Sequence, residues 1–419
     1  MSAEHEFDVV IAGAGMAGAT LALGLTQAGF RVAVVDIQTL ETRTAPDFDG
    51  RASAIAYANF RQWRALGVAG ALEPHAQPLR SIMVTDGPAP GASARSPSPT
   101  FLRFDSAEIA DRNDGEPLAW MIENRHIRAA VGQAVEAAGV DVFAPARVES
   151  VETDARLARV RLADGRVLTA PLVVGAEGRV SPVREAAGLR TTGWRYAQDG
   201  VVATVALAHP HEGVAHEYFM GGAALAILPL TENRASLVWN EPRAQAKALV
   251  EASPEAFEAH LARRFGDALG APRLIGPRFR YPLALTAVEK IVAERTALVG
   301  DAAHVMHPIA GQGLNMGLKD AAALAEVVAD AARLGEDWGG AVVLDRYARW
   351  RRFDTAGMGM ATDLVIRLFG PTDPVSRAVR GAGMKLMGRA APLRRLFMQE
   401  AGGALGDLPR LLRGEALTP

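Results

Sequence analysis

The chain opens on a short apolar run, FDVVIAG (residues 7–13), breaks at glycines, continues as an apolar stretch to Gly29, and resumes as RVAVVD (31–36). An apolar run, a glycine turn, a helical stretch and a second apolar run ending in an acid predict a β-α-β unit. No residue from Val9 to Phe30 is charged, which is long enough to cross a bilayer, but five glycines interrupt the stretch and it ends in a strand pattern, so it reads as strand, turn and helix. RASAIAYANFRQWRALG (51–67) has helical periodicity, DGPAPGASARSPSPT (86–100) has the composition of a flexible surface loop, and a helix is expected near 122–138. Strands follow around 147–153 and in LARVRLADGRVLTA (157–170), where Asp164-Gly165 marks a two-residue hairpin, and PLVVGAEG (171–178) is a buried strand. Between 193 and 285 the pattern turns to alternating strands, GVVATVALA, AALAILPL, RASLVWN and RFRYPLAL, with a helix near 253–266. RTALVGD (295–301) returns to the buried-strand pattern, and a helix from 311 to 334 carries Leu314, Leu318, Ala321, Ala325 and Val328 on one face and Lys319, Glu326, Asp330 and Arg333 on another. The chain therefore divides into a discontinuous α/β domain (1–85, 101–192 and 286–345, with the flexible loop 86–100), an inserted antiparallel domain (193–285) and a helical C-terminal region (346–419).

The glycines of GAGMAG carry the first chemistry. Gly13 permits the turn out of the strand, Gly15 lets a pyrophosphate approach the backbone, and Gly18 lets the helix pack on the sheet. Asp36 ends the next strand, where an acid accepts ribose hydroxyls and disfavours a 2′-phosphate, which points to FAD or NAD. GDAAHVMHPIAGQGLN (300–315) decides between them. Asp301 closes a strand at the edge where an open α/β sheet binds its ligand, and can accept from a ribityl chain. Gly311, Gly313 and Asn315 open the long helix, whose N–H groups suit the flavin edge that gains negative charge on reduction. His304 and His307 are three apart, but no further ligand completes a set and Pro308 breaks helical presentation, so no metal is expected and His307 with Pro308 lines the pocket above the flavin.

The 419 residues are 49% hydrophobic and 22% charged with a net charge of −2, which argues against nucleic-acid binding. There is no cysteine, so disulfides, thiolate nucleophiles and iron–sulfur clusters are excluded and redox chemistry falls to an organic cofactor. Residues 346–413 hold 13 basic and 5 acidic residues with apolar clusters at 364–369, 384–387, 393–398 and 408–412. Part of this region packs as core; part suits an anionic membrane surface or a partner protein.

GAGMAG, VVGAEGRVSPVRE (173–185) and LVGDAAHVMHPIAGQGLNMGLKDAAAL (298–324) together resemble the group A flavoprotein aromatic monooxygenases. HPIAGQGLN followed by GLKD, with FDGRASAIA (48–56), IENRHIRAA (122–130), ILPL with SLVW (227–239) and RLFG (367–370), is similar to the FAD-dependent ubiquinone-biosynthesis hydroxylases. The resemblance implies an FAD-binding Rossmann-like domain of the glutathione-reductase and para-hydroxybenzoate-hydroxylase type with an inserted antiparallel-sheet substrate domain. It implies tightly bound FAD, NAD(P)H as a transient co-substrate, and O2 delivered through a C4a-hydroperoxyflavin to the ring of a prenylated phenol in ubiquinone biosynthesis. A search for a second Gly-x-Gly-x-x-Gly finds only GAGMKL (381–386), which fails at Leu386, in keeping with a transient nicotinamide site. By resemblance Arg51 contacts the flavin side of FAD, Arg125 the ribityl or phosphate region, Asp301 the ribityl hydroxyls, and the Leu314-Asn315 backbone the flavin ring; His307, Pro308 and Asn315 take the catalytic positions. Glu177 stands where the family carries aspartate, which puts its dual FAD and NAD(P)H role in question. The resemblance also implies a cytoplasmic protein, with a possible peripheral contact to the inner membrane and a possible place in a ubiquinone-biosynthesis complex. A hydroxylase of a soluble unprenylated phenol, or a non-catalytic flavoprotein scaffold, would share the cofactor motifs.

Overall fold

The structure is a computed structural model that describes residues 4–45, 49–87, 100–111, 113–220, 223–265, 269–305, 312–352, 369 and 373–418. Within the expected surface loop, 88–99 lie outside the described residues.

The strand Val9–Ala12 lies inside a six-stranded sheet between Leu172–Gly175 and Val32–Val35, with Thr296–Leu298 and Asp141–Phe143 beyond them. All four of its residues are fully buried because both faces are covered. Val9 and Ile11 pack toward the helices Met16–Gln27 and Gly313–Arg333, whereas Val10 and Ala12 pack toward the strands Val148–Thr153, Ala158–Leu162 and Val167–Ala170. A continuous apolar run is what a strand covered on both sides requires. The two helices approach closely because their contact is made of small side chains: a methyl on Gly24 would meet the Ala325 methyl at 3.3 Å. Lys319 is buried with the apolar residues of its helix, so the polar face expected there does not extend to its first turns.

The antiparallel sheet is wider than residues 193–285. Its eight strands run in the order His304–Val305, Arg273–Val288, Thr191–Ala206, Arg234–Pro242, Ala224–Leu230, Val214–Phe219, Ser81–Asp86 and Thr100–Asp105. Ser81–Asp86 pairs parallel to Val214–Phe219, a long-range partnership that local alternation does not announce. One face buries Val201, Val205, Leu225, Leu237 and Trp239 under the helices Arg243–Glu251 and Pro254–Phe265. Thr191–Ala206 and Arg273–Val288, sixteen residues each, pair along most of their length and carry this sheet to His304–Val305 beside the six-stranded one.

Two local expectations change. Residues 51–67 begin as a strand, Ala52–Ala56, and become helical only at Tyr57–Ala65, because Ala52–Ala56 pairs with Ala119–Glu123. The Asp164-Gly165 hairpin uses four connecting residues, with Gly165 in the left-handed region at φ +89°. The described part of the C-terminal region includes the helices Pro374–Arg389, Ala391–Ala401 and Arg410–Arg413.

Candidate active site

The glycine turn joins the Val9–Ala12 strand to the Met16–Gln27 helix at the carboxyl edge of the sheet. Gly13 has φ +104°, and a Cβ there would lie 2.3 Å from the Ala176 carbonyl oxygen; one on Gly18 would lie 2.1 Å from the Gly13 carbonyl oxygen. Gly15, at the helix start, meets nothing within 4 Å. Two glycines thus serve packing and the third leaves its space to a ligand. Asp36 is held beside the turn, its Oδ2 accepting from the Ala14 N–H at 2.7 Å and its Oδ1 from the Gln38 N–H at 2.8 Å. A cavity of about 220 Å³ opens next to them, lined by Ala14, Thr39, Leu40, Arg43, Glu136 and Val142 among others. Arg43 lies in its wall, buried, donating to the Ala14 carbonyl while its Nε has no hydrogen-bond partner among the described residues. Burial lowers its pKa, against Asp36 and Glu136, which raise it.

A second charged group lies between this end and the antiparallel sheet. Asp49 is buried and accepts from Arg51 Nε and Nη2, each at 2.9 Å, from Arg128, and from the Tyr281 hydroxyl at 3.3 Å. Burial raises the Asp49 pKa but Arg51 and Arg128 outweigh it, leaving it at about 2. Arg51 also stacks over the Tyr281 ring at 5.0 Å. Two guanidinium groups share one carboxylate, so the cluster keeps a net positive charge suited to a phosphate-bearing ligand.

The opposite end is built by the segment after Thr296–Leu298. Asp301 is half-exposed, and its ion pair with Arg179 is a long one at 3.8 Å. Arg184 donates to the Ala302 carbonyl at 3.1 Å and steadies this turn from behind. The Gly313–Arg333 helix begins beyond it with Gly313 and Leu314 in its first turn, whose N–H groups have no acceptor within the helix. Asn315 is buried and its side chain is structural: Oδ1 accepts from the Ala56 N–H at 3.0 Å and from Asn59 Nδ2 at 2.9 Å, and Nδ2 donates to the Ala54 carbonyl at 2.8 Å. His307, Pro308 and Gly311 lie outside the described residues. His304 is buried, with Nε2 2.7 Å from Asp320 Oδ2, and Asp320 Oδ1 accepts from Arg351 Nε at 2.7 Å.

Residues 6–358 match the family model for the FAD binding domain. The ubiquinone hydroxylase UbiL of Rhodospirillum rubrum is 41% identical over 99% of this chain and 95% of its own length. The 3-demethoxyubiquinol 3-hydroxylase of Escherichia coli is 32% identical over 94% of this chain and 98% of its own. The chain belongs to the FAD-dependent ubiquinone-biosynthesis hydroxylase family. Its fold is shared by the p-nitrophenol 4-monooxygenase PnpA of Pseudomonas putida, at a TM-score of 0.77 and 20% identity over 97% of this chain and all of that one. This hydroxylase is an FAD-dependent aromatic-ring monooxygenase.

The cradle fits that cofactor, since the space at Gly15 and the buried Arg43 call for an anion beside the helix start. Two residues expected at the hydroxylase site are engaged elsewhere. Glu177 Oε2 accepts from the Ser181 hydroxyl at 2.7 Å and Oε1 from the Val183 N–H at 3.1 Å, so it caps the short helix Pro182–Ala186. Burial raises its pKa against those hydrogen bonds. Arg125 turns its Nη2 to Glu123, which also accepts from Arg234 of the antiparallel sheet at 3.2 Å; Asn124 and Arg128 of the same helix reach Asp49. Arg43, Asp49 and Arg128 carry no sequence signal, because single charges without a fixed spacing to a partner do not announce a site.

Proposed function

We propose that this hydroxylase inserts one oxygen atom of O2 into the ring of a prenylated phenol of ubiquinone biosynthesis, with NAD(P)H as reductant. The observation that carries this reading is a glycine turn with open space at Gly15 beside the buried Arg43, in a chain 41% identical over nearly its whole length to a ubiquinone hydroxylase. Bound FAD supplies electron transfer and oxygen activation. In our reading Asp36 accepts the ribose hydroxyls, Arg43 and the helix start at Gly15 bind the pyrophosphate, and Asp301 accepts from the ribityl chain. Gly313 and Leu314 would offer their N–H groups to the flavin edge that becomes anionic, and the apolar sheet face would exclude water. The FAD-binding part and the sheet of 193–285 with its added strands then divide cofactor and substrate between them. The test is product analysis with purified, FAD-loaded protein, NADH or NADPH, and matched phenols with and without a prenyl chain. Hydroxylated prenylated product supports the reading. Preference for the unprenylated phenol makes the enzyme a soluble-phenol hydroxylase, and FAD binding without phenol-dependent NAD(P)H oxidation makes it a scaffold.

We further propose a membrane-surface contact through the C-terminal helices. Val375, Val379 and Leu386 lie exposed along one stripe of Pro374–Arg389, and Leu393, Leu396 and Phe397 are each 45–47% exposed on the next helix. Lys385, Arg389 and Arg395 are exposed beside them. Apolar side chains ringed by basic ones suit an anionic bilayer, which also holds a prenylated substrate. No helix among the described residues is long and apolar enough to cross a membrane.

A further inference from the structure

Across six strands of the antiparallel sheet, Leu102, Val84, Glu217, Ala226, Val238 and Val202 stand in register in one row. Paired residues project to the same side, so this row holds five hydrocarbon side chains and one carboxylate. It lies on the face turned to the FAD-binding part. Val84 and Leu102 pack with that core, Ala215 and Leu228 join Leu79, Ala119 and Ala54, and Phe219 stacks on Phe369 at 4.0 Å. Ala54 is the residue whose carbonyl accepts from Asn315, so the strand bearing Glu217 is one packing contact from the helix start at the flavin end.

Glu217 differs from its neighbours. Tyr218 and Phe219 are buried, whereas Glu217 is partly accessible and has no hydrogen bond or ion pair among the described residues. Its carboxyl stands in a row whose other side chains are hydrocarbon. The charges nearest on that face are engaged: Asp86 accepts from Arg380 at 3.1 Å, and Glu123 is held by Arg234, Arg125 and His126. Lys385 and Arg389 of the adjoining helix are exposed, and His216 and Tyr218 project from the other side of the strand. With nothing to offset it, burial pushes the Glu217 carboxyl up to about 8. A lone carboxyl in a hydrocarbon wall destabilises the fold and gains nothing from it, unless a ligand brings a donor.

We propose that Glu217 receives the phenolic hydroxyl of the substrate, accepting its hydrogen bond and taking its proton as the ring is hydroxylated. This rests on the reading of the chain as a phenol hydroxylase. The O–H bond breaks toward Glu217, the electron pair left on oxygen enters the ring, and the ring carbon bonds to one oxygen atom derived from O2. The proton returns to the phenolic oxygen as the hydrogen on that carbon leaves to solvent. The second oxygen atom leaves as water, and NAD(P)H supplies the two electrons. The accepting form is the carboxylate, so hydroxylation in the parent rises with pH through about 8.

Infrared titration of the apoprotein, with a short-chain 2-prenylphenol as probe, tests the site without turnover. A protonated carboxyl band is expected to vanish as the pH passes about 8, to shift when the probe is added, and to be missing in Glu217→Gln. In turnover, Glu217→Gln is expected to keep its FAD content and flavin reduction while product formed per NAD(P)H falls roughly tenfold or more, as expected for loss of a general base. H2O2 replaces the product, the pH limb disappears, and Glu217→Asp restores part of the coupling. Parent-like coupling and pH profile in Glu217→Gln, or a carboxyl band that ignores the probe, overturn the proposal. A parent that binds FAD and shows the probe-sensitive band but hydroxylates no phenol overturns the functional reading and leaves the binding site standing.

Discussion

Gly13 and Gly15 occupy the same motif, yet a methyl group would meet backbone at one and empty space at the other. Gly13→Ala combines a left-handed backbone with a clash and is expected to cost about 3 kcal/mol or more. Gly15→Ala is expected to stay within about 1 kcal/mol of the parent apoprotein while losing FAD, because only the ligand needs that space. Thermal melts of the apoproteins beside flavin titrations separate the two outcomes. Asp301 makes a similar case. Half-exposed and held by one long ion pair, it contributes little to the fold, so Asp301→Ala should unfold within about 0.5 kcal/mol of the parent. Its FAD affinity should fall by about one to two orders of magnitude, the equivalent of one charged hydrogen bond; equal flavin retention in a folded variant would remove Asp301 from the site. The positions of Gly13, Asp36 and Asp301 at turn and strand ends are legible in sequence because fixed spacing announces them. The place of Arg43 is not, since it lies through space against Ala14, and the motif position of Glu177 says nothing about the helix it caps.

Among elements, the start of the Gly313–Arg333 helix is anchored by a buried group that motif reading had weighed only as a metal ligand. Burial alone would lower the His304 pKa, but Asp320 raises it above 6.5; burial would raise Asp320, but His304 and Arg351 hold it at about 2. The histidine's contribution is therefore fully present below about pH 6.5 and fades as the pH rises through its raised folded value. That of Asp320 is present above about pH 4 and fades as the pH falls toward about 2. Stability of the apoprotein should decline above neutrality, and His304→Gln should flatten that alkaline limb while costing about 1–3 kcal/mol near pH 6; an unchanged pH profile in the variant would show that His304 is neutral throughout. The parallel strands and long helices are legible because each carries its own periodicity. Ala52–Ala56 is not, since small residues suit helix and strand alike and only the distant Ala119–Glu123 decides between them. Ser81–Asp86 escaped in the same way, through its pairing with Val214–Phe219.

For the whole molecule, the basic C-terminal region divides into residues that serve the fold and residues that do not. Arg394 belongs to the first group, chelated by Glu108 at 2.6–3.0 Å and donating to the Gly388 carbonyl. Lys385, Arg389 and Arg395 belong to the second. Replacing these three by glutamine should weaken binding to anionic vesicles by about 3 kcal/mol, on the order of a hundredfold, with FAD content and turnover of a short-chain phenol unchanged. Loss of FAD in that variant, or a parent that ignores anionic vesicles in sedimentation, would assign these helices to the core alone.

The two long strands that tie one sheet to the other also set a timetable. The ribosome completes the nucleotide end, from Val9 to Arg43, early, and then builds nearly the entire substrate sheet before Thr296–Leu298 arrives to pair with Leu172–Gly175. Asp301 and the helix start at Gly313 follow later still. Domains tend to fold as they emerge, but here the growing chain holds half a cofactor site through most of its synthesis. Nascent chains stalled near residue 290 should show protease-resistant antiparallel structure and retain no flavin, and retention should appear only once the chain has grown past the Gly313–Arg333 helix. Flavin capture is then a late step of biosynthesis, and a supply of FAD too scarce from that moment on would leave the chain with an open cleft.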